Sequence, residues 1–267
     1  MAAFDFVESA AGGYRFVWQA RETIMRLAAV PFALKIASFI AITALAIDNN
    51  ILRQGLLLLP ATFAEGWLIA QAIRLAIFDE RWPMNLSGDR KKDMALMQVR
   101  ARSISAATLI YVLTKLALAF VSAMMFMNMS TPTAADVPPP GPGMFFVGFA
   151  VLTLAVWSFR FFWLHIPAAL DQPLRGYILK TRGYLASFCM LATWLLCYVP
   201  LFLLLFLARE ILTPLLPPVD GEVSTAYTYA MVVVWAFVDS ASALVSSLGV
   251  AYGVRAMDKG KTARGKN

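Results

Sequence analysis

The sequence predicts an all-α, polytopic membrane protein with about six transmembrane helices and with both the N-terminus and the C-terminus cytoplasmic. Three observations lead there. The chain of 267 residues is 60% hydrophobic and only 15% charged, with a mean hydropathy of +0.68; soluble domains are about 45–50% apolar and about 25% charged. Its apolar residues fall into six runs, at about 27–48, 56–78, 104–127, 144–169, 185–208 and 226–254. Each is long enough for a ~30 Å hydrocarbon core at about 1.5 Å per residue. The connections also alternate in charge. Segments 1–26, 79–103, 170–184 and 255–267 hold seventeen Lys or Arg, whereas 49–55, 128–143 and 209–225 hold only Arg53 and Arg209. Basic residues accumulate on cytoplasmic loops, so this imbalance sets the orientation.

Three regions follow: an amphipathic interfacial segment (1–26), the six-helix domain (27–254) and a basic tail (255–267). In the first, Tyr14, Trp18, Arg21 and Met25 recur at helical spacing, which predicts an interfacial helix. The run after Arg21 and Arg26 ends in "TALA", as a signal peptide does, but three preceding acids and Lys35 predict an uncleaved first span. The proline-rich "NMSTPTAADVPPPGPG" (128–143) predicts an extended loop. In "ALDQPLRGYILKTRGYL", Asp171 or Gln172 is placed to cap a helix whose first turn holds Pro173, with Leu174, Tyr177, Ile178 and Leu185 on its apolar face. Arg90, Lys91 and Lys92 form a basic cluster beside the headgroups. Its expected partner is anionic lipid on the cytoplasmic side, with a membrane-protein partner as the second expectation. The net charge of +7 is thus a sign of topology, and no nucleic-acid partner is expected.

Five ionisable residues lie deep in the spans: Lys35, Glu65, Lys115, Arg160 and Asp239. Counted from the cytoplasmic ends, their depths are roughly 12, 20, 18, 15 and 22 Å. A charge at such depth costs at least about 2.5–3.5 kcal/mol, so each should face protein, water or an opposite charge. Depth matching pairs Glu65 with Lys115, and Asp239 with Arg160 or Lys35. Three cations against two acids leave one positive charge for an anionic ligand, a lipid headgroup or a neutral lysine to resolve. Thr108, Tyr111, Lys115 and Ser122 share one stripe; Asp239, Ser242, Ser246, Gly249 and Gly253 share another, whose serines and glycines suit close helix packing. Arg74, nearer the surface, is expected to snorkel. His165, the single histidine, is expected to be a hydrogen-bonded polar residue.

No phosphate loop, HExxH, CxxC or GxSxG motif occurs. One histidine and two intramembrane cysteines, Cys189 and Cys197, give no conventional zinc set. No cofactor, metal or enzymatic activity is expected. "FAEG" around Glu65 and "FVDS" around Asp239 follow in-to-out spans in each half, the mark of a parallel internal repeat.

The stretch "RFFWLHIPAALDQPLRGYILKTRGYL" (160–185) resembles YciC-type bacterial six-helix inner-membrane proteins and the related membrane domain of glycerophosphodiester phosphodiesterases. The shared features are a basic residue within the span (Arg160), a proline at its inner end (Pro167) and an amphipathic segment with arginine before glycine (Arg182, Gly183). Lys180 and Thr181 stand where the family has a serine ahead of the second arginine. The resemblance implies a multi-pass protein of the cell inner (plasma) membrane without defined chemistry. Two functions remain open from sequence. One is a membrane scaffold or accessory subunit held by buried ion pairs. The other is a small transporter or channel-like protein whose midplane charges line a polar path. A cavity wide enough for water at the charges would favour the second.

Overall fold

A computed structural model of the chain describes residues 4–47, 50–81, 88–129, 142–218 and 223–264. The elements are α1 (Phe6–Gln19), α2 (Arg21–Ala44), α3 (Ile51–Phe78), α4 (Arg90–Met129), α5 (Pro142–Ser158), a 3₁₀ turn (Phe159–Trp163), α6 (His165–Ala169), α7 (Leu174–Lys180), α8 (Tyr184–Leu215) and α9 (Thr225–Arg264). Six helices are long and apolar enough to cross a bilayer, the fourth running through α5, the 3₁₀ turn and α6. This is an integral, multi-pass membrane protein. Most of the proline-rich connection expected at 128–143 lies outside the described residues.

Local chemistry sets several boundaries. The Asp5 carboxylate caps α1 by accepting from the backbone N–H of Val7 (2.8 Å) and Glu8 (3.0 Å). Asn50 does the same for α3 through the N–H of Arg53 (3.0 Å). Asp79, left-handed at φ 53°, ends α3 and turns Glu80 back toward it. The short α7 departs from expectation: Pro173 itself is the N-cap, and Asp171 sits left-handed at φ 53° without capping.

The fourth span is a broken helix. Tightening into a 3₁₀ turn releases carbonyls from the α-helical ladder, and these need donors in a membrane. Ser187 donates to the Trp157 carbonyl (3.0 Å), Tyr177 to that of Arg160 (3.1 Å), and His165 Nδ1 lies 3.2 Å from that of Phe162.

The principal packing partners of α3 are α4, α2 and α9, and those of α8 are α9, α1 and α5. Ile69, Ile73, Ile166, Met190, Leu248 and Val250 fill a core in the half of the bundle nearest the basic ends. By contrast, Phe145, Phe146, Phe149, Leu152 and Leu154 of α5 are all exposed, a surface suited to lipid rather than water.

Small residues explain how α1 enters this bundle. Its Ser9, Ala10 and Gly13 are buried against α8 and α9. A Cβ on Gly13 would lie 2.7 Å from the Val245 carbonyl oxygen and 3.0 Å from the Gly249 nitrogen. A Cβ on Gly249 would lie 3.3 Å from the Ser9 carbonyl oxygen. The two backbones therefore touch only because both positions lack a side chain. Phe4 covers Gly253, and Tyr14 donates to the Cys197 carbonyl at 2.6 Å, one turn before Pro200. Thus α1 is docked into a groove of α8 and α9.

Candidate functional site

Four spans converge on a chain of charges. The Lys35 ammonium, on α2, lies 2.6 Å from Glu65 Oε1 on α3 and 2.5 Å from Asp239 Oδ2 on α9. Tyr111, on α4, donates to Glu65 Oε2 at 3.0 Å. Lys115, one turn further along α4, stands 3.8 Å from Asp239 Oδ1 and 5.6 Å from the centre of the Tyr111 ring. Two ammonium groups face two carboxylates, so the cluster is neutral as a whole. That balance is what allows charge to persist away from water.

The pairing differs in part from the one that depth matching predicts. Glu65 meets Lys35 rather than Lys115, while Asp239 takes Lys35, one of the two partners expected for it, and not Arg160. The contacts of Lys35 with both acids place it level with them, deeper than a count from residue 27 gives. Arg160 stands apart. Its guanidinium donates to the Thr181 carbonyl (3.1 Å) and lies over the rings of Trp157 (3.9 Å) and Phe161 (4.8 Å). Among the described residues no carboxylate pairs with it. The 3₁₀ turn carries Arg160 away from the face that a continuous helix would give it.

The charge chain has a dry end and an open end. Lys35 and Glu65 are 4% and 3% exposed. The side chains of Lys115 and Asp239 are 37% and 34% exposed, because two cavities meet there. One, of about 340 Å³, lies between α4, the 3₁₀ turn, α8 and α9. Its floor holds Lys115, Asp239, Ser242 and Ser246; its walls are Tyr111, Phe159, Phe162, Trp163, Trp194 and Tyr198. The other, of about 170 Å³, is lined by Leu58, Thr62 and Ala119 together with the four charged residues.

His165 joins the wall of the larger cavity. A carbonyl can only accept, so the proton sits on Nδ1 facing Phe162, and neutral Nε2 accepts from the Ser247 hydroxyl at 3.2 Å. The ring stands edge-on to Tyr111 at 5.4 Å. Two aromatic rings of α8 continue the wall as a stack, Trp194 on Tyr198 at 5.2 Å.

A second polar cluster, at the basic end of the bundle, escapes sequence reading. Arg74 does not snorkel: it is buried and bound by both oxygens of Glu80, with Nε to Oε2 2.7 Å and Nη2 to Oε1 2.8 Å. Its Nη1 donates to Ser103 Oγ and to the Ala169 carbonyl, each at 2.8 Å. Arg100 donates to Gln71 (3.1 Å) and to the Glu80 carbonyl (3.2 Å). The signal was the spacing of Gln71 and Arg74 on one face, together with an acid just past the helix end. Nearby, Lys180 pairs with Asp258 and donates to the Val254 carbonyl (3.2 Å). Burial pushes the Tyr177 phenol up, so it stays a donor to the Arg160 carbonyl.

The remaining sequence candidates are placed as follows. Arg90, Lys91 and Lys92 are exposed in the first turn of α4. On α9, Ser246 donates to the Ser242 carbonyl, while Gly249 packs against Thr193 and Cys197 of α8 and Ser9 of α1, and Gly253 against Phe4. Cys189 and Cys197 are free thiols. Among the described residues no three His, Cys, Asp or Glu side chains gather to hold a metal ion. No family model, curated protein or solved structure matches the chain.

Proposed function

We propose that this protein is a small transporter whose substrate passes the neutral charge cluster at the bundle centre. One observation carries the reading: two cavities approach the cluster from different sides, and both are lined by Lys115 and Asp239. A purely structural ion pair is held tight, since only close contact and full hydrogen bonding repay the desolvation of its charges. Here the Lys35–Glu65 end meets that condition, whereas the Lys115–Asp239 pair is loose and partly exposed. The broken fourth span fits the same reading, because interrupted helices in membranes line cavities.

The seventeen basic residues on one set of connections support cytoplasmic termini. The resemblance around Arg160 and Pro167 supports a bacterial inner membrane and a non-enzymatic role. Arg90, Lys91 and Lys92 would then attract anionic headgroups on the cytoplasmic side. The sealed Lys35–Glu65–Tyr111 contact favours the second reading, a scaffold in which the charges only fix helix order.

Sided thiol labelling separates the two. In a chain with Cys189 and Cys197 replaced by alanine, Ser242→Cys and Leu58→Cys report on the larger and the smaller cavity. Transport predicts that membrane-impermeant thiol reagents modify both positions. If neither reacts from either side of the membrane, the cavities are closed to water and the scaffold reading replaces this one.

A further inference from the structure

The larger cavity combines three features that constrain a ligand. Its floor belongs to a cluster that is already neutral, two lysines against two acids. A cation or an anion would add net charge to a low-dielectric site, whereas a zwitterion would not. Next, Lys115 and Asp239 Oδ1 are 3.8 Å apart, beyond hydrogen-bonding distance, and the lysine makes no closer ion pair among the described residues. A ligand carrying both a carboxylate and an ammonium could replace this one loose contact with two charge-assisted hydrogen bonds of about 2.7–2.9 Å. Finally, the walls are aromatic, with Phe159, Phe162, Trp163 and Trp194 lining them.

We infer that this cavity takes a small zwitterion with a bulky apolar body, of the α-amino-acid class, its carboxylate on Lys115 and its ammonium on Asp239. The aromatic rings of Phe159, Phe162 and Trp194 receive the apolar body. A volume of about 340 Å³ lies at the small end of the ~300–1,000 Å³ range of ligand sites, which suits a single amino acid and excludes a whole phospholipid. The inference rests on the transport reading and names the substrate class of the same site.

The test uses three compounds with one body: L-phenylalanine, phenethylamine without the carboxylate, and 3-phenylpropionate without the amine. The readout is protection of Ser242→Cys from a thiol reagent in the full chain, reconstituted in lipid nanodiscs. Phenylalanine should protect at a concentration roughly tenfold to a hundredfold below either analogue, as expected for one lost hydrogen bond to a charged group. Lys115→Met, at a partly exposed position, should weaken phenylalanine relative to phenethylamine, because it removes the partner of the carboxylate and leaves the cluster one charge more negative. Equal protection by all three compounds, or better protection by a singly charged one, overturns the inference. A reactive cysteine that none of the three protects also overturns it and leaves the transport reading standing. An unreactive cysteine closes this cavity to water and overturns the inference; if Leu58→Cys is unreactive as well, the transport reading falls with it.

Discussion

Removing the Lys35 ammonium should be the most damaging single change in the membrane core. Lys35 is 4% exposed and serves two carboxylates, Glu65 at 2.6 Å and Asp239 at 2.5 Å. Lys35→Met keeps the length and apolar volume of the side chain but leaves two acids facing one lysine. Breaking a buried pair typically costs about 3–5 kcal/mol. At roughly 2–4 °C per kcal/mol for a chain of this size, the melting temperature in detergent should fall by about 6–20 °C. Lys115→Met should cost far less, about 0–1 kcal/mol, because its partner is 3.8 Å away and both side chains are more than a third exposed. The double variant Lys35→Met/Glu65→Leu leaves Lys115 and Asp239 as a neutral pair, so it should recover much of the loss. A double-mutant cycle on thermal stability in one detergent measures this directly. Contacting residues couple by about 0.5–3 kcal/mol, and Lys35–Glu65 should couple more strongly than Glu65–Lys115. Simple addition of the two single losses, or stronger coupling to Lys115, would refute the assigned pairing.

A phosphatase reporter that works only outside the cytoplasm should be active when fused within 128–143 and silent after Asn267; activity at the C-terminus would reverse the orientation. Changing Arg90, Lys91 and Lys92 together to Gln should reduce anionic lipid retained in native mass spectrometry, at about 1 kcal/mol per charge, with the fold intact. Gly13→Val should cost about 1–3 kcal/mol through overpacking against the Val245 carbonyl, and limited proteolysis of residues 6–19 should become faster as α1 leaves its groove. Glu80→Ala strips the carboxylate from both Arg74 and Arg100, so it should lower thermal stability more than Lys115→Met does.

Six spans were legible because the membrane imposes a length and a polarity that a sequence displays directly. Five of the six apolar runs lie within one helix or, in the fourth case, one broken helix, whereas the first, 27–48, overruns α2, which ends at Ala44. What the runs conceal is where a helix extends past them. The six residues from Arg21 to Arg26 read as part of an interfacial helix together with Tyr14 and Trp18, yet they belong to α2, and α4 likewise starts at Arg90 rather than near Ile104. Hydropathy marks the lipid slab, whereas backbone hydrogen bonding marks the helix. The docking of α1 was hidden for a related reason. Its Ser9, Ala10 and Gly13 are small rather than apolar, so the face that packs most closely shows little hydrophobic pattern.

The cluster illustrates which part of a site composition can reveal. That Lys35, Glu65, Lys115 and Asp239 must find protein or one another followed from the cost of charge in lipid. Who pairs with whom depends on axial offsets of a few residues, and a count that places Lys35 too shallow is enough to give Glu65 the wrong partner. Arg160 shows the other limit: nothing in "VWSFRFFWLH" separates a continuous helix from one that tightens for a turn, and that turn takes its cation out of the cluster. The consequence is chemical. With Arg160 included the cluster would be cationic and would call for an anion; without it the charges cancel, and the acids of "FAEG" and "FVDS" close on one lysine between them. On the proposed transport reading, a ligand beside Lys115 would meet a balanced pair that it could part only by supplying both charges itself.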